Sequence, residues 1–233
     1  MASVEEDIVM DLARQSLRDV NRFLHKNGSS LSGKHVRILN PAGNHSVAVG
    51  LNETMTVQID GHVGYYAAGM NRQSTVTIEG NAGCGVAENM MSGTVHVRGN
   101  ASTCAGASAH GGQLFIDGNA ASRCGISLKG GNIVVGGDVG TLSGFMAQAG
   151  RIVICGDAGP GLGDSLYEAV IYLRGEHRGL GADACEEPMS DEDYDLLQKL
   201  LVAARTNYDP QQFKRIASAR TLYHWNADRD QEY

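Results

Sequence analysis

The chain has no apolar run near the roughly 18 residues that a membrane span needs, and it has no basic run. With a net charge of −7 over 233 residues, nucleic acid is not an expected partner. The acidic opening, Met1–Asp11, lacks a signal-peptide pattern, so a cytoplasmic protein is expected. The sequons at Asn27, Asn44, Asn52 and Asn100 would then never meet the glycosylation machinery. The cysteines number five, an odd count, and form no C-x-x-C pair; free thiols on or inside the fold are expected, rather than a zinc or iron–sulfur site. Cys84, Cys104 and Cys124 advance in steps of 20. None of the eight histidines pairs with another at metal-ligand spacing, and no nucleophile motif surrounds a serine.

What the chain does have is glycine in strict order. Gly61, Gly80, Gly99, Gly118, Gly137, Gly156 and Gly175 stand 19 residues apart, and each closes the phrase aliphatic-x-aliphatic-x-Gly. The aliphatic pairs are Val57/Ile59, Val76/Ile78, Val95/Val97, Leu114/Ile116, Ile133/Val135, Ile152/Ile154 and Ile171/Leu173. Alternation puts residues i and i+2 on one face of a strand. A fixed period over this length marks a stacked repeat. Asn81, Asn100, Asn119, Asp138 and Asp157 follow the glycines, with His62 and Glu176 in that place at the two ends. Glycine accepts positive φ, and Asn and Asp tolerate it, so a sharp corner is expected there.

Two further columns repeat: Gly93, Gly112, Gly131, Gly150, and Gly106, Gly125, Gly144, Gly163. Three small-residue columns per lap imply about three sides. The expected fold is an all-β solenoid: a single-stranded, right-handed parallel β-helix with about 19 residues per coil. Its laps would lie about 4.8 Å apart, with aliphatic ladders inside.

The ends read differently, giving three regions: a capping segment over 1–34, the β-helix over 35–181 and a helical tail over 182–233. Ser16 with Asp19 signals a helix start, Leu17, Val20, Phe23 and Leu24 make its apolar face, and Gly28 is a terminator. Val36 and Ile38 open a degenerate early lap, and residues 39–56 do not fit the period. In the tail, Ser190 with Asp193 starts a helix striped by Leu196, Leu197, Leu200 and Leu201. Asp209-Pro210 starts a second, with Phe213 and Ile216 facing inward. The chain closes on Leu222, Tyr223, His224 and Trp225.

The outward slot between the two aliphatic positions runs Gln58, Thr77, His96, Phe115, Val134, Val153, Tyr172, polar early and apolar late. An apolar outer face needs a cover. Either the C-terminal helices fold back over it or a partner does, and the chain's own tail is favoured.

Apparent motifs give way to plainer readings. Gly28 to His35 nearly spells a phosphate loop, but His35 replaces the required Ser/Thr and no strand precedes it. Gly159-Pro-Gly161-Leu-Gly163 lacks the third glycine of a dinucleotide fingerprint, since Leu166 stands there. His96 finds no second ligand in its own column, between Thr77 and Phe115, and His110 lies at a turn. Tyr65 and Tyr66 project from a corner, as an interface anchor or a lap cap. Asp60, Glu79, Arg98 and Asp117 are mixed in sign before the glycines and the run does not continue, unlike the carboxylate ladder of a sugar-cleaving β-helix.

The glycine-spaced laps, with Gly99-Asn100-Ala101 and Gly111-Gly112 as punctuation, resemble the GXGXG domain, the C-terminal β-helix of the glutamate synthase large subunit. The same domain forms a subunit of formylmethanofuran dehydrogenase. The likeness covers about residues 11 to 225. Asp11-Leu12 with Leu17 to His25, and the tail from Pro188 to Trp225, look like stand-alone versions, similar to the B subunit of N-methylglutamate synthase (methylamine–glutamate N-methyltransferase).

The resemblance implies a non-catalytic scaffold within a transferase complex that makes N-methyl-L-glutamate and ammonia from methylamine and L-glutamate. It implies two partners: an amidotransferase-like subunit, and a glutamate synthase-like subunit carrying FMN and an iron–sulfur cluster. No residue of this chain is then expected to be catalytic, to bind a cofactor or to hold a metal. The alternatives are a scaffold in another glutamate synthase-type or formylmethanofuran dehydrogenase-type complex, and an independent carbohydrate-acting β-helix.

Overall fold

The structure, a computed structural model, describes residues 8–220. The expected terminal group Leu222, Tyr223, His224 and Trp225 lies outside the described residues.

Among the described residues eleven strands form one sheet. In chain order they are β1 (Ile8–Asp11), β2 (His35–Leu39), β3 (Thr56–Asp60), β4 (Thr75–Ile78), β5 (Thr94–Val97), β6 (Gln113–Ile116), β7 (Lys129–Val135), β8 (Ala149–Ile154), β9 (Val170–Leu173), β10 (Ala184–Glu187) and β11 (Lys214–Ser218). From β1 to β9 every neighbour pairs in parallel, as winding in one direction demands. The chain is a parallel β-solenoid of about 7 turns with about 19 residues per turn.

Register stacks like upon like. Val57, Val76, Val95 and Leu114 lie in one column and Ile59, Ile78, Val97 and Ile116 in the next, all at most 1% exposed. The early lap is two residues longer than the rest: Val36 and Ile38 sit against Val57 and Ile59, offset by 21 residues instead of 19. A third inward column, Val63, Ala82, Ala101, Ala120, Val139 and Ala158, forms on the second side through single bridges. It is mostly alanine because that side closes on the aliphatic ladders. Each buried Val, Leu or Ile contributes about 1.5–3 kcal/mol.

The Gly-Asn corner works by a different means from the one expected. Of its glycines only Gly61, at φ +137°, takes positive φ. The others are glycine because the laps approach too closely for a side chain. A Cβ on Gly99 would stand 2.3 Å from Asn81 Oδ1 and 2.9 Å from the Gly80 carbonyl carbon. That room is filled by a polar ladder. Asn81 Oδ1 accepts from Asn100 N, Asn100 Oδ1 from Asn119 N, Asn119 Oδ1 from Asp138 N and Asp138 Oδ1 from Asp157 N, each at 2.8 Å. The replacements at the ends join in: His62 Nδ1 accepts from Asn81 N, and Asp157 Oδ1 from Glu176 N, at 2.9 Å each.

The other glycine columns do take left-handed backbone, such as Gly112 at φ +81° and Gly125 at φ +67°. On the third side left-handed residues alternate along the chain, as at Tyr66, Ala68 and Met70. Their N–H groups bond to adjacent laps: Ala87 N donates to Ala67 O at 3.0 Å and Asn89 N to Ala107 O at 2.9 Å.

Both ends are closed. Helix α1 (Leu17–Lys26) has Ser16 at its N-cap, accepting from Asp19 N, and buries Val20 and Leu24 over the first lap. Asn21 fastens it there, donating to Ser46 O at 2.8 Å and accepting from Ala48 N at 3.0 Å. Gly28 does not end α1 in left-handed backbone; it opens a short 3₁₀ turn, Gly28–Leu31, that leads towards β2.

At the far end the described residues of the tail hold one α-helix, and the second expected at Asp209-Pro210 is not formed. Helix α2 (Asp191–Ala203) has the full capping box of Ser190 and Asp193. The Asp209-Pro210 signal serves a 3₁₀ turn, Pro210–Gln212, and the chain then runs into β11. Ile216 pairs with Ile171 because antiparallel addition to β9 satisfies an edge that would otherwise stay open. β10 lies outermost, with Glu186 and Glu187 on it.

The apolar outer slots are covered by this tail. Phe115, Val134, Val153 and Tyr172 pack with Leu197, Leu200, Leu201 and Phe213 in a second core. The near-phosphate loop lies in a 3₁₀ turn followed by a strand, and Gly161 and Gly163 sit in a lap corner, hydrogen-bonded to neighbouring laps. No helix among the described residues is long and apolar enough to cross a membrane.

Candidate functional site

Where the cover of α2 stops, the outer sheet face drops into a cleft. Strand β5 carries His96 outward, opposite Phe115 on β6. Arg98 and Asp117 follow the two strands one lap apart, in the slot before the glycine. His96 is 8% exposed, and its Nε2 lies 2.5 Å from Asp117 Oδ1. Arg98 Nη1 lies 3.3 Å from Asp117 Oδ2 and 3.3 Å from His96 Nε2. The Phe115 ring meets the imidazole edge-on, with centroids 5.8 Å apart.

This grouping was not anticipated. Thr77 and Phe115, which share a column with His96, offer it no polar partner; Asp117 lies one lap and two residues on, a separation of 21. The diagonal across a lap is the spacing that would have found it.

The cleft has a volume of about 470 Å³. Phe115 and Val134 form its floor, and Gly136, which brings no side chain, leaves a notch between Asp117 and Cys155 in their column. The opposite wall is the segment Ala204 to Tyr208 that leaves α2. Among the described residues, no group of three or more His, Cys, Asp and Glu converges to hold a metal ion.

The cysteines are all free thiols. Cys155, two laps beyond Asp117, is buried under α2, and burial pushes its pKa up to about 11. Cys84, Cys104 and Cys124 run diagonally into the coil. Burial, and then the neighbouring Cys84 thiol, raise the pKa of Cys104; full burial takes Cys124 to about 12. A nucleophilic cysteine needs the opposite shift.

No protein-family model matches the sequence. Over 226 residues the chain is 50% identical to Protein GlxC of Rhizobium meliloti (strain 1021), covering 97% of this chain and 99% of that protein. The chain belongs to the GlxC family.

In this GlxC-family chain a second surface feature lies at the opposite corner. Met70 and Met146 share one column; Met91 and Tyr167 share the column two residues on. All four are between 39% and 49% exposed. Tyr65, 60% exposed, is stacked on His45 at 3.8 Å, while the Tyr66 hydroxyl accepts from Asn89 Nδ2 at 3.3 Å. Of the two corner tyrosines, Tyr65 is the one that projects. Exposed methionine and tyrosine are enriched where proteins meet.

Proposed function

We propose that this chain is a non-catalytic scaffold subunit of a glutamate synthase-like complex, and specifically of an N-methylglutamate synthase. The observation that carries this reading is the laddered Gly-Asn solenoid, whose glycine-spaced laps resemble those of the GXGXG domain. The exposed Met70, Met91, Met146 and Tyr167 along one corner give such a scaffold a surface for partners. Cys155, in the same column as Asp117, has the wrong character for a nucleophile, because burial raises its pKa to about 11. The partners in this reading are an amidotransferase-like chain and a chain carrying FMN and an iron–sulfur cluster. Catalysis on methylamine and L-glutamate belongs to them, in the cytoplasm.

The test is affinity capture of the tagged full chain from its native host, followed by mass spectrometry and assay. The expected result is co-purification of both partner chains, with N-methylglutamate formed by the assembly and none by the isolated subunit. Product released by the single chain would overturn the scaffold role. Capture of other flavin or molybdenum-type chains would assign it to a different complex.

A further inference from the structure

We infer that the cleft between β5–β7 and the end of α2 binds a small organic carboxylate with an apolar body. Its volume, about 470 Å³, falls in the roughly 300–1,000 Å³ range of small-molecule sites. The floor of Phe115 and Val134 suits an apolar body, and the Gly136 notch deepens it.

The polar groups select an anion. Asp117 makes its short contact with His96, at 2.5 Å, and a long one with Arg98, at 3.3 Å. Both contacts of the Arg98 guanidinium, to His96 and to Asp117, are made by Nη1. Nε and Nη2 have no partner among the described residues, and a carboxylate matches such a planar edge with two parallel hydrogen bonds. Arg205 lines the opposite wall and has no ion pair among the described residues. Two guanidinium groups against one carboxylate leave the cleft positive on a chain whose net charge is −7.

The backbone fixes where the Arg205 side chain starts. Helix α2 ends in a Schellman motif, with Thr206 N donating to Leu201 O at 2.9 Å and Arg205 N to Val202 O at 3.0 Å. The left-handed residue of that motif is favourably glycine; here it is Arg205, at φ +58°. An arginine there is less stable than glycine, yet it places a cation on the rim. This inference goes beyond the scaffold role and does not depend on it.

The experiment titrates the purified full chain with benzoate, and with benzamide as its neutral isostere, following backbone amides by NMR. Saturable benzoate binding is expected at millimolar or tighter affinity, with shifts clustered at Phe115, Gly136 and residues 204–208. Benzamide should bind at least about tenfold more weakly, a difference of about 1.4 kcal/mol. The Arg205→Gly variant should lose about tenfold in benzoate affinity while its melting temperature stays equal or rises, a combination that a purely structural arginine would not give. Arg98→Gln should weaken benzoate further. Equal binding of benzoate and benzamide, an unchanged affinity in Arg205→Gly, or shifts confined to another surface would each overturn the proposal. So would binding of an acidic hexapeptide at the cleft with no binding of benzoate.

Discussion

Asn100 is bonded to the laps on both sides, since its backbone N–H donates to Asn81 Oδ1 and its side-chain Oδ1 accepts from Asn119 N. Replacing it with alanine is expected to cost about 1–2 kcal/mol, from the lost bond and the orphaned Asn119 N–H. Gly99→Ala should cost about 1–3 kcal/mol for a steric reason, because the added carbon meets Asn81 Oδ1 at 2.3 Å. Gly33→Ala meets nothing within 4 Å and should cost only the left-handed penalty, about 1–2 kcal/mol. Urea unfolding of the three variants measures these differences. The two buried thiols give a pH test. Their folded pKa values, about 12 for Cys124 and about 11 for Cys155, lie above the ordinary 9.0. Their contribution to stability is therefore complete below pH 9 and disappears as pH rises towards those values. Alkylation mapping of the native chain at pH 8 should label Cys84, Cys104 and Cys185 and spare Cys124 and Cys155; labelling of the last two would show that α2 or the laps open readily.

Helix α2 is held by both an apolar face and an anchored polar end. Tyr172 donates to Asp193 Oδ1 at 2.6 Å, and Arg215 Nε lies 3.3 Å from Asp193 Oδ2. Burial alone would raise the pKa of Asp193, but Tyr172, the Ser190 cap and Arg215 together hold it below its ordinary 3.8. That contribution is present above the ordinary value and is lost as pH falls through the lowered one, so α2 is expected to loosen in acid. Leu197→Ala should cost about 2–5 kcal/mol, since the side chain is fully buried. Hydrogen exchange should rise first in α2 and in the strands beneath it, leaving β3 and β4 protected, because lap contacts are local; uniform loss of protection would count against this. The helix was legible in the sequence, since its leucine stripe and capping box are local signals. So was its docking, because an apolar Phe115-to-Tyr172 column needs a cover. β11 was not legible: Lys214–Ser218 has a single large apolar residue, and its strand state comes from pairing with a distant edge. β1 is likewise a four-residue strand whose partner lies beyond a helix.

The solenoid as a whole was readable because its energetics repeat: the same aliphatic slots and the same glycine columns recur until no other fold accommodates them. The cleft was not, because it depends on how the non-repeating tail leaves α2 and on a diagonal across laps. The repeat also predicts how the chain tolerates changes in length. Deleting residues 76–94, one full period of 19, joins Thr75 to Val95 and keeps every ladder in register. The product is expected to stay folded and cooperative by circular dichroism and thermal melting. Deleting only residues 76–90 should leave a less stable product with a lower melting temperature, because four surplus residues must loop out of one lap.

The uniform lap height turns the coil into a ruler. Any two proteins gripping it at different levels are held apart by a whole number of steps of about 4.8 Å. Such a spacer is lengthened or shortened only by adding or removing whole laps, so the gap between two bound proteins is set by a count.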